Sequence, residues 1–325
     1  MKEKINWAVL GTGVIANEMA VALQKKGKRI YSVGNRTYDK AVAFADKYGI
    51  KKVYRDFHEM FSDPEVDVIY ITTPHNTHIE FMKEAIKNGK HLLVEKSITL
   101  NSEELNEAIS LSKKYGTIIG EAMTIFHMPI YRKLRQIIDS GKIGKVNLIT
   151  LNFGSFKEYD MTNRFFNRNL AGGAMLDIGV YALSFVRWFM DSKPTKLLSQ
   201  VKLAPTGIDE QASLLLMNDE GQMATVMLSM HSKQPKRGMI SCEKGYIEVM
   251  EYPRAWEATI TDAVTGEKQV IQVGENADAL AYELADMEKA IMGDASDLYF
   301  DYTCDVMDMM TEFRRSWGMT YPEEE

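Results

Sequence analysis

Two patterns of apolar and polar residues alternate over the first 122 positions of the chain. Short apolar runs such as INWAVL and DVIYITT are typical of strands buried on both faces, and longer segments such as TYDKAVAFADKYG carry apolar residues at helical spacing. Glycines, for example Gly27 and Gly49, follow the helical segments, as is common just past a helix end. This alternation predicts an N-terminal Rossmann domain, residues 1–122, with a doubly wound parallel sheet.

The pattern changes after residue 122. Between about residues 195 and 273, strand-like runs such as QASLLLMND and QMATVMLSM follow one another with hairpin signals and no helix between them. Such runs predict an open, mainly antiparallel sheet of about six strands, and two helical segments follow it. We therefore predict a C-terminal α/β domain, residues 123–325. An open sheet leaves one face to cover, so we expect a homodimer or homotetramer formed through this sheet.

Composition and charge restrict the classes of partner. The chain has 325 residues, 45% hydrophobic and 26% charged, which is an ordinary globular mixture long enough for two domains. The net charge of −6 argues against nucleic acid as the main partner. Cys242 and Cys304 match no metal or redox spacing, and no segment is typical of a signal peptide or membrane span. We expect a cytoplasmic protein with no membrane partner.

The segment Gly11-Thr-Gly-Val-Ile-Ala16 fits the dinucleotide-binding pattern G-x-G-x-x-A. It directly follows a predicted strand and begins a predicted helix. Gly11 permits a tight turn, Gly13 lets the backbone approach a pyrophosphate, and Ala16 permits close packing of helix and strand. The helix start supplies amide donors for the phosphates. Because the context is the expected one, we predict nucleotide binding.

The second predicted strand ends at Gly34-Asn35-Arg36-Thr37. A site for NAD usually carries an acid here for the ribose 2′-hydroxyl, and none occurs before Asp39. The guanidinium of Arg36 suits a 2′-phosphate instead. The sequence favours NADP as the cofactor and leaves NAD possible.

The segment Thr72-Thr-Pro-His-Asn-Thr-His78 follows the next long buried strand and would pass beside the nicotinamide ribose. Its His75-x-x-His78 spacing invites a zinc interpretation. No third ligand is close in sequence, and Pro74 indicates a shaped turn, so we predict no metal site.

The ordered motifs GTGVIA, TTPHNTH, VEK and AGGAMLDIGVY resemble those of the Gfo/Idh/MocA family of oxidoreductases, which includes glucose-fructose oxidoreductase and inositol dehydrogenase. They span residues 11–181. The resemblance implies a Rossmann domain, a second α/β domain with an open sheet, and NAD(P)-dependent hydride transfer on a sugar, polyol or diol. The GGAMLDIGVY version looks most like the dihydrodiol dehydrogenase branch, which tends to use NADP.

The resemblance also implies site residues. The family's EKP lysine falls on Lys96, its D-x-G-x-[HY] pair falls on Asp177 and Tyr181, and Arg168 has a counterpart near the substrate or cofactor. Ser97 departs from the family, which usually has proline there. The residues predicted to contact the cofactor are Gly11, Thr12, Gly13, Val14, Ile15, Asn35, Arg36, Thr73, Pro74, Asn76, His78, Glu95, Lys96 and Arg168.

The catalytic residues predicted in this way are Lys96, Asp177 and Tyr181. Tyr181 would move the proton, since a nearby ammonium such as Lys96 favours a phenolate. Asp177, four residues earlier on a helix, shares a face with Tyr181 and would orient a substrate hydroxyl or the lysine. Glu95 either anchors its strand end or contacts the nicotinamide ribose.

Other interpretations remain open from the sequence. Lys96 could be a surface lysine, Asp177 a helix cap, and Tyr181 a core aromatic residue. Two other functions also fit the fold: an NAD-dependent glycosidase, against which Arg36 argues, and a non-catalytic NADP-sensing regulator, against which the three intact catalytic positions argue.

Overall fold

The structure is a computed structural model that describes residues 5–325, and it divides into two compact units. Unit 1 contains the chain up to Ala122 together with Leu280–Phe300. Unit 2 contains Met123–Ala279 and Asp301–Glu325. The sequence interpretation assigned the segment 280–300 to the second domain, and the structure differs on this point.

Unit 1 is built on a six-stranded sheet whose strands are all parallel, in the order β3-β2-β1-β4-β5-β6. Every residue of the two central strands is buried, as their continuous apolar runs predicted. The strands are β1 (Trp7–Leu10), β2 (Ser32–Gly34), β3 (Lys52–Tyr54), β4 (Val68–Ile71), β5 (His91–Glu95) and β6 (Ile119–Ala122).

Five helices connect these strands: α1 (Val14–Lys25), α2 (Tyr38–Tyr48), α3 (Phe57–Ser62), α4 (His78–Lys87) and α5 (Ser102–Tyr115). Side-chain caps begin two of them: Asp56 accepts from the amide of His58, and Asn101 accepts from the amide of Glu104. Gly49 ends α2 in the left-handed conformation, at φ 67°. The sequence interpretation did not name β3 or α3, because three and six residues are too few to show a period.

Unit 2 contains a mixed sheet of eight strands in the order β14-β13-β12-β11-β7-β10-β9-β8. It is antiparallel except for the pair β7 and β10. The predicted open, mainly antiparallel sheet is therefore confirmed, with eight strands in place of about six. The strands are β7 (Val146–Gly154), β8 (Lys196–Leu203), β9 (Asp209–Met217), β10 (Met223–Ser229), β11 (Gln234–Cys242), β12 (Gly245–Met250), β13 (Glu257–Asp262) and β14 (Lys268–Gln272).

The two faces of this sheet differ in burial. One face, with residues such as Ile149, Leu214 and Ile240, is buried in the core of unit 2. The helices of unit 2 are α6 (Thr124–His127), α7 (Pro129–Asp139) and α8 (Val180–Phe189), and α10, described below, also belongs to it except for its first residue. The other face exposes a set of apolar side chains: Leu148, Leu198, Leu215, Met223, Met227, Met250 and Val270.

The most apolar helix of the chain is α8, which follows a single π-helical turn, Met175–Gly179. Residues 168–189 are long and apolar enough to resemble a membrane span, yet most of this stretch is buried inside the protein. Each fully buried Leu or Phe contributes about 1.5–3 kcal/mol. The apolar character of α8 is therefore that of a core helix.

Two helices end the chain: α9 (Ala279–Ile291) and α10 (Phe300–Ser316). The residues after Ala279 pack on unit 1, where Glu288 accepts a hydrogen bond from the indole of Trp7 at 3.0 Å and pairs with Lys28. Gly120 on β6 is in close contact with this segment, since a Cβ there would lie 3.4 Å from Leu298 and 3.5 Å from Met287. The segment thus covers part of the Rossmann sheet.

Candidate functional site

The turn after β1 has the geometry that a dinucleotide requires. Gly11 has φ 107°, and a Cβ at this position would lie 2.4 Å from the hydroxyl oxygen of Thr72. A Cβ at Gly13 would meet no atom within 4 Å, so the space beside the helix start is open. Gly13 caps α1 without a side-chain hydrogen bond, and the first turn carries no acid. These features fit a pyrophosphate bound to the first amides of α1.

The ends of β2 and β3 carry cations where an NAD site would carry an acid. Asn35 and the exposed Arg36 follow β2, and Arg55 directly follows β3. Gly34 and Tyr54 are register partners, so Asn35 and Arg55 leave the sheet side by side. The guanidinium of Arg55 stacks on the ring of Tyr38 at 3.7 Å. Sequence reasoning missed Arg55, because the short strand before it had not been recognised.

The two histidines of the TTPHNTH turn connect it to the end of β5 through contacts with backbone carbonyls. His75 Nε2 donates to the carbonyl of Lys96 at 3.0 Å. His78 Nε2 donates to the carbonyl of Thr73 at 2.8 Å, and its Nδ1 lies 3.2 Å from the carbonyl of Ser97. The Lys96–Ser97 peptide bond is cis, at the place where the family resemblance expects proline. The two loops therefore hold each other in position.

His78 differs from its predicted role. Its side chain has no exposed surface, and burial lowers its pKa below the ordinary value for histidine. A ring enclosed in this way is a structural anchor for the turn and has no surface to offer a cofactor.

The segment from Leu92 to Leu100 is buried except at two residues, Glu95 and Lys96. The hydroxyl of Tyr70, on the neighbouring strand β4, donates to the carboxylate of Glu95. The amide of Ile98 donates to the buried Glu121 on β6 at 3.1 Å. The strand end is thus held by carboxylates on both sides, and it presents the Lys96 side chain at the carboxyl edge of the sheet.

Unit 2 presents the other two predicted catalytic residues. Among the residues from Ala171 to Met190, only Asp177 and Tyr181 are not fully buried. Asp177 lies in the π-helical turn and Tyr181 in the first turn of α8. The sequence interpretation assumed α-helical spacing between the two, and the structure has the wider π turn at Asp177. Such turns occur frequently at functional sites.

The ring of Tyr181 lies at the edge of an aromatic cluster. Its ring lies 6.3 Å from that of Phe153, which in turn lies 6.1 Å from that of Tyr252. Burial, with a smaller electrostatic contribution from Tyr181, raises the pKa of Tyr252 well above the ordinary value. The hydroxyl of Tyr252 forms no hydrogen bond within residues 5–325. Tyr252 is therefore a neutral, buried neighbour, and Tyr181 is the phenol that keeps access to solvent.

A buried acid supports the start of the π turn. Asp209 is completely buried and accepts a hydrogen bond from the amide of Met175. Burial raises the pKa of Asp209 to about 7, against the opposing effect of the Met175 amide. Gly173 has φ 125°, and a Cβ there would lie 2.1 Å from Asp209 Oδ1. Only glycine therefore fits at this point of the AGG loop.

Arg168 makes contacts that the sequence did not predict. Its Nε donates to the carbonyl of Thr320 at 2.8 Å, and its Nη2 pairs with Glu325. Nearby, the hydroxyl of Tyr321 donates to the carbonyl of Gly172 at 2.7 Å. The C-terminal segment thus holds the AGG loop, and Arg168 takes part in that contact.

Arg164 lies beside a predicted catalytic residue, and sequence reasoning missed it. Its Nη2 lies 3.6 Å from Asp177 Oδ1, and its guanidinium lies 4.1 Å from the centroid of the Phe165 ring. Nothing in the stretch TNRFFNR indicates this contact, because it depends on how a long loop folds back over the π turn.

Comparisons with known proteins agree with this architecture. Residues 5–123 match the family model described as an oxidoreductase family with an NAD-binding Rossmann fold, and residues 131–248 match the GFO/IDH/MocA C-terminal domain. A trans-1,2-dihydrobenzene-1,2-diol dehydrogenase from Xenopus laevis is 30% identical over 78% of this chain and 77% of its own length. The enzyme of that name from Xenopus tropicalis is 27% identical over 97% of this chain and 99% of its own.

Solved structures show the same fold at lower identity. The 3-ketoreductase KijD10 from Actinomadura kijaniata, crystallised with NADP and TDP-benzene, is 18% identical and superposes with a TM-score of 0.85, covering 95% of this chain and 96% of that one. An NAD-binding oxidoreductase from Klebsiella pneumoniae is 20% identical, with a TM-score of 0.85 and 97% coverage of both chains.

Proposed function

Because the chain belongs to the Gfo/Idh/MocA family of NAD(P)-binding oxidoreductases, we propose that it transfers a hydride between NADP and a sugar, polyol or diol, with Lys96 and Tyr181 handling the proton. One observation carries the proposal. The otherwise buried stretch from Ala171 to Met190 keeps only a carboxylate, Asp177, and a phenol, Tyr181, accessible. A carboxylate and a phenol that keep exposed surface in such a stretch are available to a substrate.

The nicotinamide cofactor, when bound, supplies or accepts the hydride. The protein must then move one proton at the substrate oxygen. In our proposal Tyr181 exchanges this proton, and the ammonium of Lys96 favours the phenolate form by its charge. Asp177 accepts a hydrogen bond from a substrate hydroxyl and so orients the substrate. The hydrogen bond from His75 to the Lys96 carbonyl supports a fixed position for the lysine.

The preference for NADP rests on Arg36 and Arg55. Both are exposed at the ends of adjacent strands, where they are available to a 2′-phosphate. Arg55 is already stacked on Tyr38, which limits the side-chain freedom that binding would otherwise remove. No acid stands at the end of β2 to accept the 2′-hydroxyl of NAD.

The exposed face of the eight-stranded sheet supports the proposal of a homo-oligomer. In-register rows of side chains cross the outer face, such as Leu198 and Leu215 on neighbouring strands and Leu148 beside Met223. Contiguous apolar surface of this kind marks an interaction site. We propose that a second copy of the chain covers it.

Steady-state kinetics tests the proposed reaction with a panel of sugars, polyols and vicinal diols and both cofactors. Tyr181→Phe and Lys96→Ala should each lower kcat by about 10²–10⁴-fold, because each removes a group from proton transfer. NADP binding by Tyr181→Phe, followed by fluorescence titration, should be unchanged. Tyr115→Phe, which removes an exposed phenol on α5, is the matched control and should keep full activity.

Full activity in Tyr181→Phe would refute the proton assignment. Tight NADP binding with no turnover of any substrate would instead favour a cofactor-sensing role.

A further inference from the structure

Two cationic side chains form cation–π contacts with one aromatic ring in the loop between β7 and the AGG turn. The Nζ of Lys157 and the Cζ of Arg164 each lie 4.1 Å from the centroid of the Phe165 ring. The two charged groups are therefore at most twice that distance apart. Each contact with the ring is favourable, and the mutual repulsion of the cations opposes it. The arrangement is one that an anion would stabilise.

The carboxylates of the protein do not balance these charges. Arg164 has one acidic neighbour among the described residues, Asp177, at 3.6 Å. Lys157 forms no ion pair with any residue from 5 to 325. The one carboxylate that forms an ion pair with either cation, among residues 5–325, is thus also the acid that we place at the substrate. An anion brought by the substrate would complete the balance.

The fold determines the position of this pair. The amide of Lys157 donates to the carbonyl of Met230 at 2.9 Å, and its carbonyl accepts from His231 Nδ1 at 3.0 Å, so the loop continues the pairing of β7 with β10. At the other end, Phe166 is completely buried, and its carbonyl accepts from the hydroxyl of Thr206 at 2.6 Å. Lys157 and the residue after Phe165 are therefore anchored, and the ring that carries both cations is held between them.

We propose that Lys157 and Arg164 bind an anionic group of the substrate, a carboxylate or a phosphate, and that the preferred substrate is therefore an acidic sugar or a sugar phosphate. The contact of Arg164 with Asp177 places this group a few bonds from the reacting carbon. The inference rests on the proposed function for the reaction, whereas the binding site itself stands on the geometry of the loop.

Calorimetric titration of the NADP-loaded protein tests the site without turnover. The probes are glucose, glucuronate and glucose 6-phosphate, with the corresponding galactose series. The acidic members should bind more tightly than the neutral ones. Lys157→Ala should weaken their binding about tenfold or more, the usual cost of losing one charge-assisted hydrogen bond. Lys157→Arg should restore the affinity for the acidic sugars. Comparing the affinities of the uronates with those of the sugar phosphates identifies the preferred anion.

Lys268→Ala is the matched control, because it removes an equal charge from an exposed position on β14. It should leave all affinities unchanged. Equal binding of neutral and acidic sugars, failure of every acidic sugar to bind, or unchanged binding by Lys157→Ala would each overturn the site.

Kinetics of Arg164→Ala separates substrate binding from an effect on Asp177 alone. We expect a rise in KM for acidic substrates and little change for neutral ones. An equal fall in kcat for both kinds would show that Arg164 only positions Asp177, and would overturn its part in the site. Anion binding that persists without any hydride transfer would instead refute the proposed function. Turnover with no preference for acidic substrates would refute this inference alone.

Discussion

Two single residues, Arg36 and Arg55, carry the proposed preference for NADP at the ends of β2 and β3. The sequence pointed to Arg36 because the residue before it is Asn35 and no acid lies between Gly34 and Asp39. It did not point to Arg55, whose role depends on β3 pairing beside β2 in register. The sequence shows which residues are charged. Which of them lie side by side depends on how the strands pair in the sheet.

We expect Arg36→Ala and Arg55→Ala each to weaken NADP binding about tenfold or more and to leave NAD binding nearly unchanged. The reason is that each removes a charge-assisted hydrogen bond to the 2′-phosphate, which only NADP carries. Fluorescence titration of both cofactors measures the effect. Arg29→Ala, an exposed arginine near the opposite ends of the strands, is the control. Tighter binding of NAD than of NADP by the unaltered chain would contradict the assignment.

Lys96, Asp177 and Tyr181, which the motifs select, are partly exposed within otherwise buried segments, and their catalytic roles stay a prediction. His78 and Arg168 show the limit of this reasoning. A histidine or arginine in a loop offers the same donors to a cofactor as to a backbone carbonyl. The sequence cannot tell which is nearer, since the carbonyls of Ser97 and Thr320 come from distant parts of the chain.

At the scale of elements, the long periodic segment that forms α2 was predicted closely, because it has a helical stripe and a glycine at its end. The π turn before α8 was not predicted. A π turn adds one residue to a helix. Because this stretch is buried on nearly all sides, it has no periodic alternation of apolar and polar residues that such an insertion could shift. Asp209 explains why the turn begins where it does, since it accepts from the Met175 amide.

The buried Asp209 gives this junction a pH dependence. Its folded pKa of about 7 lies above the ordinary value of 3.8, so its contribution to stability is fully present below pH 3.8 and is lost as the pH rises through 7. Asp209→Asn should remove this loss. Relative to the unaltered chain, we expect the variant to gain on the order of 2–3 kcal/mol in unfolding free energy between pH 5 and pH 8.

Urea unfolding followed by tryptophan fluorescence at both pH values measures this difference. Asp46→Asn, which changes an exposed carboxylate on α2, should show no such gain. A stability difference that is the same at pH 5 and pH 8 would mean that folded Asp209 is ionised throughout.

At the scale of the whole molecule, the sequence predicted a Rossmann domain followed by a domain with an open sheet, because strand spacing changes at residue 122. It did not predict that residues 280–300 belong with unit 1. An amphipathic helix such as α9 shows that it has an apolar face, but not which of two cores that face covers. The contacts of Glu288 and Met287 decide this, and they involve residues more than a hundred positions away.

The apolar outer face of the second sheet leads to a prediction about assembly. Met227 is exposed on this face, on β10, which lies between β7 and β9 in the sheet. Met227→Glu should convert a dimer or tetramer into monomers of 36.9 kDa, because it would place a charge in the proposed interface. Light scattering coupled to size-exclusion chromatography measures the mass. Val264→Glu, in the exposed hairpin after β13, should leave the assembly intact, and a monomeric unaltered chain would contradict the proposal.

The return of residues 280–300 to unit 1 has a consequence for synthesis on the ribosome. The six strands of the Rossmann sheet leave the exit tunnel first, but Met287 and Leu298, which pack against Gly120, follow only after the eight-stranded sheet has emerged. At ~5–20 residues per second, the nascent sheet waits on the order of ten seconds or more for its last covering segment. During that time its β6 side is a natural binding surface for a chaperone.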